Sequence, residues 1–314
     1  MLKTIATTLI PVAFVILLGF LAGWRKFFGP EDRATITRLV MIWLLPALLL
    51  GGILQTSRAE LLNYRIPVIF LLGLLAPFFL VLFIYRNVFH SDRRTAALKA
   101  NLMTFPDMVF MGIPILHQLF GPASLFPILI ANLIPSLIIT PLTTLLLELG
   151  PGKAKHERAG GRVFLATLVK AVRDPKVWVP ITGAVLVVLN VRTPQFVISS
   201  LDLIGKATTG LSLFVVGLIV AEGRVELSWA AIADIFFKSL VAPALMFCVV
   251  LALHVTSVLA REAIILAAIP SAVIASMFAE QYHVMQGESA TAVLGTRIAS
   301  FATIPLVIAL TQNL

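Results

Sequence analysis

Charge is scarce in this chain. Asp, Glu, Lys and Arg make up 12% of its 314 residues, against about 25% in an ordinary soluble domain. Hydrophobic residues reach 59% and the mean hydropathy is +1.01, so the polar residues available cannot cover a water-facing surface. The apolar runs are continuous rather than alternating, which argues against a β-barrel. Cysteine is almost missing. Cys248 alone rules out an intrachain disulfide and says little about redox compartment. Catalytic signatures are lacking as well. No G-x-x-x-x-G-K-[ST] run is present, so an ATP-driven pump is not indicated. No G-x-S-x-G or H-E-x-x-H marks an enzyme. His90, His117, His156, His254 and His283 show no metal-ligand spacing. No cofactor is called for beyond a coupling H+ or Na+.

What is present is a series of long apolar runs, and the class they imply is an all-α polytopic membrane protein. At about 20 residues per span, ten candidates run near 5–24, 35–54, 66–85, 95–119, 122–147, 177–192, 198–221, 229–254, 261–282 and 290–311. The first is longer than a signal-peptide core and no small-x-small site closes it, so it reads as a retained span. The stretch 148–176 carries Gly150, Pro151, Gly152, Gly160, Gly161 and many basic residues, and reads as a linker between halves 1–147 and 177–314. The net charge of +9 points to topology rather than to nucleic acid. The gaps after odd-numbered spans hold fourteen of the seventeen basic residues outside the spans. Lys and Arg stay cytoplasmic, so both termini are expected outside, and the linker at the cytoplasmic lipid surface.

The halves resemble each other. "LLAPFFLVLFIY" from Leu74 is matched by "LVAPALMFCVVL" from Leu240. Pro77, Pro106 and Pro141 recur as Pro243, Pro270 and Pro305, at offsets of 166, 164 and 164 residues. Five spans per half inverts the second copy, the design in which transporters hold substrate near mid-membrane. Pro106 in span four and Pro270 in span nine then occupy equivalent places, with Gly112 and Pro114 further weakening the first and Ser271 the second. Proline removes a helix hydrogen bond. Non-helical backbone at this depth survives only inside protein or along a wet cavity. The expectation is therefore a 5+5 inverted repeat whose spans four and nine break and cross, directing half-helix N-termini at an anion. A plain kink is the competing reading for either proline alone.

Few charges lie within spans. Asp107 beside Pro106 is either satisfied by backbone donors or serves as a proton-coupling group or cation ligand. Asp202 and Lys206 share a helix face and suit a structural ion pair. Arg297 either snorkels or needs a partner: an acid such as Glu280 or Glu288, or a substrate carboxylate held bidentately. Asn101, Thr104, Met108, Asn132, Ser271, Ser276 and Thr296 are candidates to line the pathway.

"FPDMVFMGIPIL" from Phe105, "IPSAVIASMFAEQYHV" from Ile269 and "GTRIASFATIPL" from Gly295 together resemble the auxin efflux carrier family, in particular its bacterial malonate-transporter-like branch. The resemblance covers most of the chain. It implies ten spans, a scaffold and a mobile transport domain, elevator-like movement of small organic anions, a bacterial inner-membrane location and a homodimer through the scaffold. Pro106 and Pro270 match its crossover prolines; Phe110, Gly112 and Pro114 match the segment after the first. Asp107 stands where the family usually has asparagine, and Arg297 replaces a small polar residue. Arg297 is thereby a candidate to compensate the Asp107 charge. Two alternatives stay open: a membrane receptor that binds without moving its ligand, and a sodium-coupled carrier like the bile-acid symporters, whose acidic sodium-site motif is not found in span nine.

Overall fold

The computed structural model describes residues 2–148, 157–222, 228–256 and 258–312. Among them the chain is all-helical. The main helices are α1 (Leu2–Trp24), α2 (Pro30–Leu54), α3 (Arg65–Asn87), α4 (Arg93–Thr104), α5 (Met108–Phe120), α6 (Pro122–Glu148) and α7 (Glu157–Arg173). They continue with α8 (Pro175–Val188), α9 (Gln195–Glu222), α10 (Trp229–Ala252), α11 (Val258–Ala268), α12 (Ile274–Tyr282) and α13 (Gln286–Leu310). Six of these, α2, α3, α6, α9, α10 and α13, are long and apolar enough to cross a membrane, and Leu9–Trp24, α5 and α8 are shorter apolar helices. Of the expected linker, residues 149–156 lie outside the described residues, and Glu157–Arg173 is helical.

The burial pattern suits lipid as solvent. On α3, Phe70, Leu74, Phe78 and Val81 are buried, while Leu71, Leu72, Phe79, Leu80 and Phe83 are exposed. Exposing that much apolar surface to water is strongly unfavourable, and exposing it to hydrocarbon is not.

Prolines set the local geometry of several helices. Among the described residues four π-turns occur, at Val40–Leu44, Met108–Gly112, Pro135–Ile139 and Phe237–Val241. Each ends two residues before a proline: Pro46, Pro114, Pro141 and Pro243. A proline ring clashes with the carbonyl four residues earlier and offers no N–H to it. Widening the preceding turn relieves that clash without ending the helix.

By packing, the chain forms two compact units. One comprises Met1–Ile66, Met108–Ile130 and Arg173–Gly223; the other comprises Pro67–Asp107, Ala131–Val172 and Arg224–Leu314. Each takes helices from both sequence halves. The first unit is built on the crossing of α1 and α9, which approach at two glycines. A Cβ on Gly19 would sit 2.1 Å from the Phe214 carbonyl oxygen, and one on Gly217 would sit 2.1 Å from that of Ile16. Small residues at such a crossing let backbones pack directly, which matters where no hydrophobic effect drives helices together. Asp202 in this unit accepts from Gln55 Nε2 at 3.0 Å. The expected Asp202–Lys206 ion pair does not form among the described residues; the Asp202 carboxylate is engaged by a neighbouring helix instead.

Candidate functional site

The second unit holds the site. A residue before proline is pushed out of the helical region, and Phe105 accordingly sits at φ −85°, ψ 105°, ending α4 at Thr104. In the same way α11 stops at Ala268, ahead of Pro270. The two non-helical segments run antiparallel and pair, with Pro106 bridged to Ser271. The Asp107 amide donates to the Pro270 carbonyl at 2.8 Å, and the Ala272 amide donates to the Phe105 carbonyl at 2.9 Å. The Ser271 amide donates to Thr296 Oγ1 at 3.2 Å, and Ser271 Oγ donates to the Leu102 carbonyl at 2.6 Å. Backbone groups that the prolines release thus find partners across the crossing, as groups deprived of water must. Beyond it, α12 begins at Ile274 with no side-chain cap, so no side chain meets the positive end of its dipole.

Arg297 reaches this crossing from α13. Its Nη2 donates to Asp107 Oδ2 at 2.6 Å and its Nη1 donates to the Val293 carbonyl at 2.9 Å. Nε has no partner among the described residues. Arg297 is 1% exposed and Asp107 5%, so each charge is matched away from water, where an unmatched one is most costly. The two residues that depart from the resembled family pattern are therefore the two that pair. Glu288, one of the acids expected to meet Arg297, is engaged elsewhere.

The remaining candidates divide by unit. Pro106, Asp107, Pro270, Ser271, Thr296 and Arg297 come together in the second unit. Thr104 Oγ1 donates to the Ala100 carbonyl and Ser276 Oγ to the Val273 carbonyl, both local helix bonds. Asn101 Nδ2 donates to Thr143 Oγ1 at 3.2 Å, while its buried Oδ1 has no partner among the described residues. Asn132 is buried in α6 and hydrogen-bonds to none of the crossing residues. Met108, Phe110, Gly112 and Pro114 belong to the first unit, with Gly112 closing a π-turn and Pro114 in the first turn after it.

Sequence reasoning passes over two buried lysines that the structure makes prominent. Lys99 Nζ lies 2.8 Å from both carboxylate oxygens of Asp234 and also pairs with Glu288 Oε1. Lys238 Nζ donates to the Ala267 carbonyl at 3.1 Å, in the last turn of α11, where a cation complements the negative dipole end. The signal was a lysine inside an apolar run. A topology count absorbs it and asks for no partner.

Comparison with known proteins gives a consistent result. Residues 4–308 match the family model described as a membrane transport protein. The chain is 26% identical over 302 residues to the Escherichia coli (strain K12) protein named uncharacterized transporter YfdV, covering 95% of both chains. It is 22% identical over 332 residues to auxin efflux carrier component 8 of Arabidopsis thaliana, covering 89% of each. A shorter similarity, 28% over 132 residues, reaches 40% of this chain and 24% of the probable auxin efflux carrier component 1b of Oryza sativa subsp. japonica.

Proposed function

The chain belongs to the auxin efflux carrier family of membrane transport proteins, and from that premise we propose that it moves small organic anions by secondary active transport. It is a multi-pass membrane transporter; the substrate class and the mechanism are the proposal. Mono- and dicarboxylates are the class, with malonate the first candidate.

One observation carries the reading: a buried guanidinium, Arg297, paired with a single carboxylate at a crossing of two helix ends. A substrate carboxylate can take the place of the Asp107 carboxylate on Nη2 and reach the unpartnered Nε, giving the two-pronged contact a guanidinium favours. The uncapped start of α12 adds a second positive end. Protonation of Asp107 releases Arg297 for the exchange. This makes Asp107 a coupling group and accounts for an acid beside an anion site.

The proposed architecture is ten spans in a 5+5 inverted repeat, with α4 and α5 as the halves of span four and α11 and α12 as the halves of span nine. The unit containing Asp107 and Arg297 is the transport domain and moves in an elevator-like manner; the other is the scaffold, through which two copies associate. Support comes from the proline register of the two halves and from two compact units that each draw on both. The protein lies in the bacterial inner membrane with both termini outside, as the distribution of basic residues suggests.

The test is uptake of radiolabelled mono- and dicarboxylates into proteoliposomes. Saturable malonate uptake, competed by other small carboxylates and not by organic cations, is expected. A protein that binds carboxylates but produces no flux would overturn the carrier reading in favour of a receptor.

A further inference from the structure

A second charged cluster stands apart from the Asp107–Arg297 pair and has a different charge balance. Lys99 on α4 meets Asp234 on α10 and Glu288 at the start of α13. The Tyr85 ring at the end of α3 lies 5.4 Å from the ammonium. Lys99 is 3% exposed and Asp234 1%, while the Glu288 side chain keeps 21% of its surface open. The Asp234 and Glu288 carboxylates both reach the same ammonium. One cation thus serves two acids.

Fully ionised, the cluster carries a net charge of −1, with two carboxylates sharing one ammonium and Lys99 and Asp234 sealed from water. Both conditions are unfavourable. Lys238 and Arg297 do not supply the missing positive charge. Lys238, one turn beyond Asp234, donates to the Ala267 carbonyl. Arg297 serves Asp107. Glu148 accepts from the Tyr282 hydroxyl, which Arg94 also faces. Arg86 donates to the Ser91 carbonyl. Arg93 and Glu280 are exposed, and Arg261 and Glu262 on α11 have partners of their own.

We infer that Asp234 and Glu288 form a proton-binding site, separate from the anion site, that couples proton movement to anion movement. The inference rests on the carrier reading above. One proton adds to one carboxylate and the resulting acid hydrogen-bonds to the other. The cluster passes from −1 to 0 and Lys99 is left matched by a single charge. Glu288, part-open, is the point of entry; Asp234, sealed, is the inner acceptor. The link to the anion site is direct. Lys99 and Asp107 flank the end of α4, and Glu288 and Arg297 lie on one helix about 14 Å apart at 1.5 Å per residue. The same two chain segments are therefore tied twice, once at each cluster. With the proton on Asp234, Lys99 keeps Glu288 as its one ionic partner, so the hold of α4 on α10 loosens while both ties to α13 remain.

Infrared difference spectroscopy of the purified wild type, stepped from alkaline to acidic buffer, tests the site without any substrate. The expected result is the high-frequency C=O band of a buried carboxylic acid, lost in Glu288→Gln and in Asp234→Asn. Glu288→Gln keeps hydrogen-bonding capacity at a part-open position, so it is the variant expected to fold. A band unchanged in both variants overturns the inference. A transport arm uses labelled malonate in proteoliposomes. A one-unit inward pH gradient supports up to about tenfold accumulation by one coupled proton. Glu288→Gln should reduce that stimulation, the Asp107 contribution remaining, and retain malonate counterflow; stimulation equal to wild type overturns the inference. If wild type moves no malonate yet shows the band and its loss, the substrate reading falls and the proton site stands.

Discussion

The Asp107 amide donates to the Pro270 carbonyl at 2.8 Å, joining two segments far apart in the chain at the point where both lose helical structure. The bond exists because each proline ends a helix. Alanine is favoured over proline in a helix interior by about 3 kcal/mol. Pro106→Ala should therefore let α4 extend and pull this pairing apart. The expected outcome is at least a roughly tenfold loss of anion uptake, with far-ultraviolet helicity retained or raised. Amide hydrogen exchange at Asp107 and Ala272 should accelerate. Unchanged exchange would mean that the pairing does not depend on the proline.

Removing Arg297 should cost more than removing the pair. Arg297→Ala leaves the Asp107 carboxylate buried without its guanidinium, and breaking a buried pair from one side costs about 3–5 kcal/mol. The double variant Asp107→Asn with Arg297→Gln carries no charge at the crossing and should recover most of that loss. Thermal unfolding in detergent is the measurement, and equal melting temperatures for the single and double variants would count against the pairing.

These sites differ in how far the sequence discloses them. Proline states its geometry locally, so Pro106 and Pro270 mark candidate crossing points without any knowledge of the fold. The four π-turns that each end two residues before a proline have the same local cause. Asp107 and Arg297 announce themselves as charges in apolar surroundings. Their pairing follows only from packing, across a sequence separation of 190, and Glu280 and Glu288 fit the sequence equally well as partners for Arg297. Lys99 is harder still. Its two acids come from α10 and α13, and nothing in the local pattern of α4 selects them. Asn132 shows another case, a polar residue in an apolar run that the fold buries without a hydrogen bond to any crossing residue among those described.

The α1–α9 crossing should tolerate no side chain at Gly217. An added Cβ would lie 2.1 Å from the Ile16 carbonyl oxygen and 2.5 Å from the Phe20 amide nitrogen, both backbone atoms that cannot swing aside. Gly217→Val should lower stability by about 1–3 kcal/mol or more through separation of the two helices, seen as an earlier thermal transition in detergent. Gly210 has open space where its Cβ would be, so Gly210→Ala is the matched control and should change little.

The N-terminus of α4 offers a pH-dependent check outside the membrane. The Asp92 side chain accepts from the Arg94 and Thr95 amides at 3.0 and 3.3 Å. Partial burial pushes its carboxyl up, but the hydrogen bonds from Thr95 and Arg94 outweigh it and hold the group below 3.8. A carboxylate lowered in this way stabilises the fold above its unfolded value and loses that contribution as the pH falls through the folded one. Asp92→Ala should cost about 1 kcal/mol at neutral pH. The gap from wild type should narrow below pH 3.8, measured by denaturation in detergent across pH.

Labelled malonate uptake into proteoliposomes carrying wild type, Asp107→Asn or Arg297→Gln bears most directly on the assignment of the buried pair as the anion site. The account predicts saturable uptake by wild type, loss of uptake in Arg297→Gln, and in Asp107→Asn an altered pH dependence with binding retained. Wild-type rates and an unchanged pH profile in both variants would contradict it.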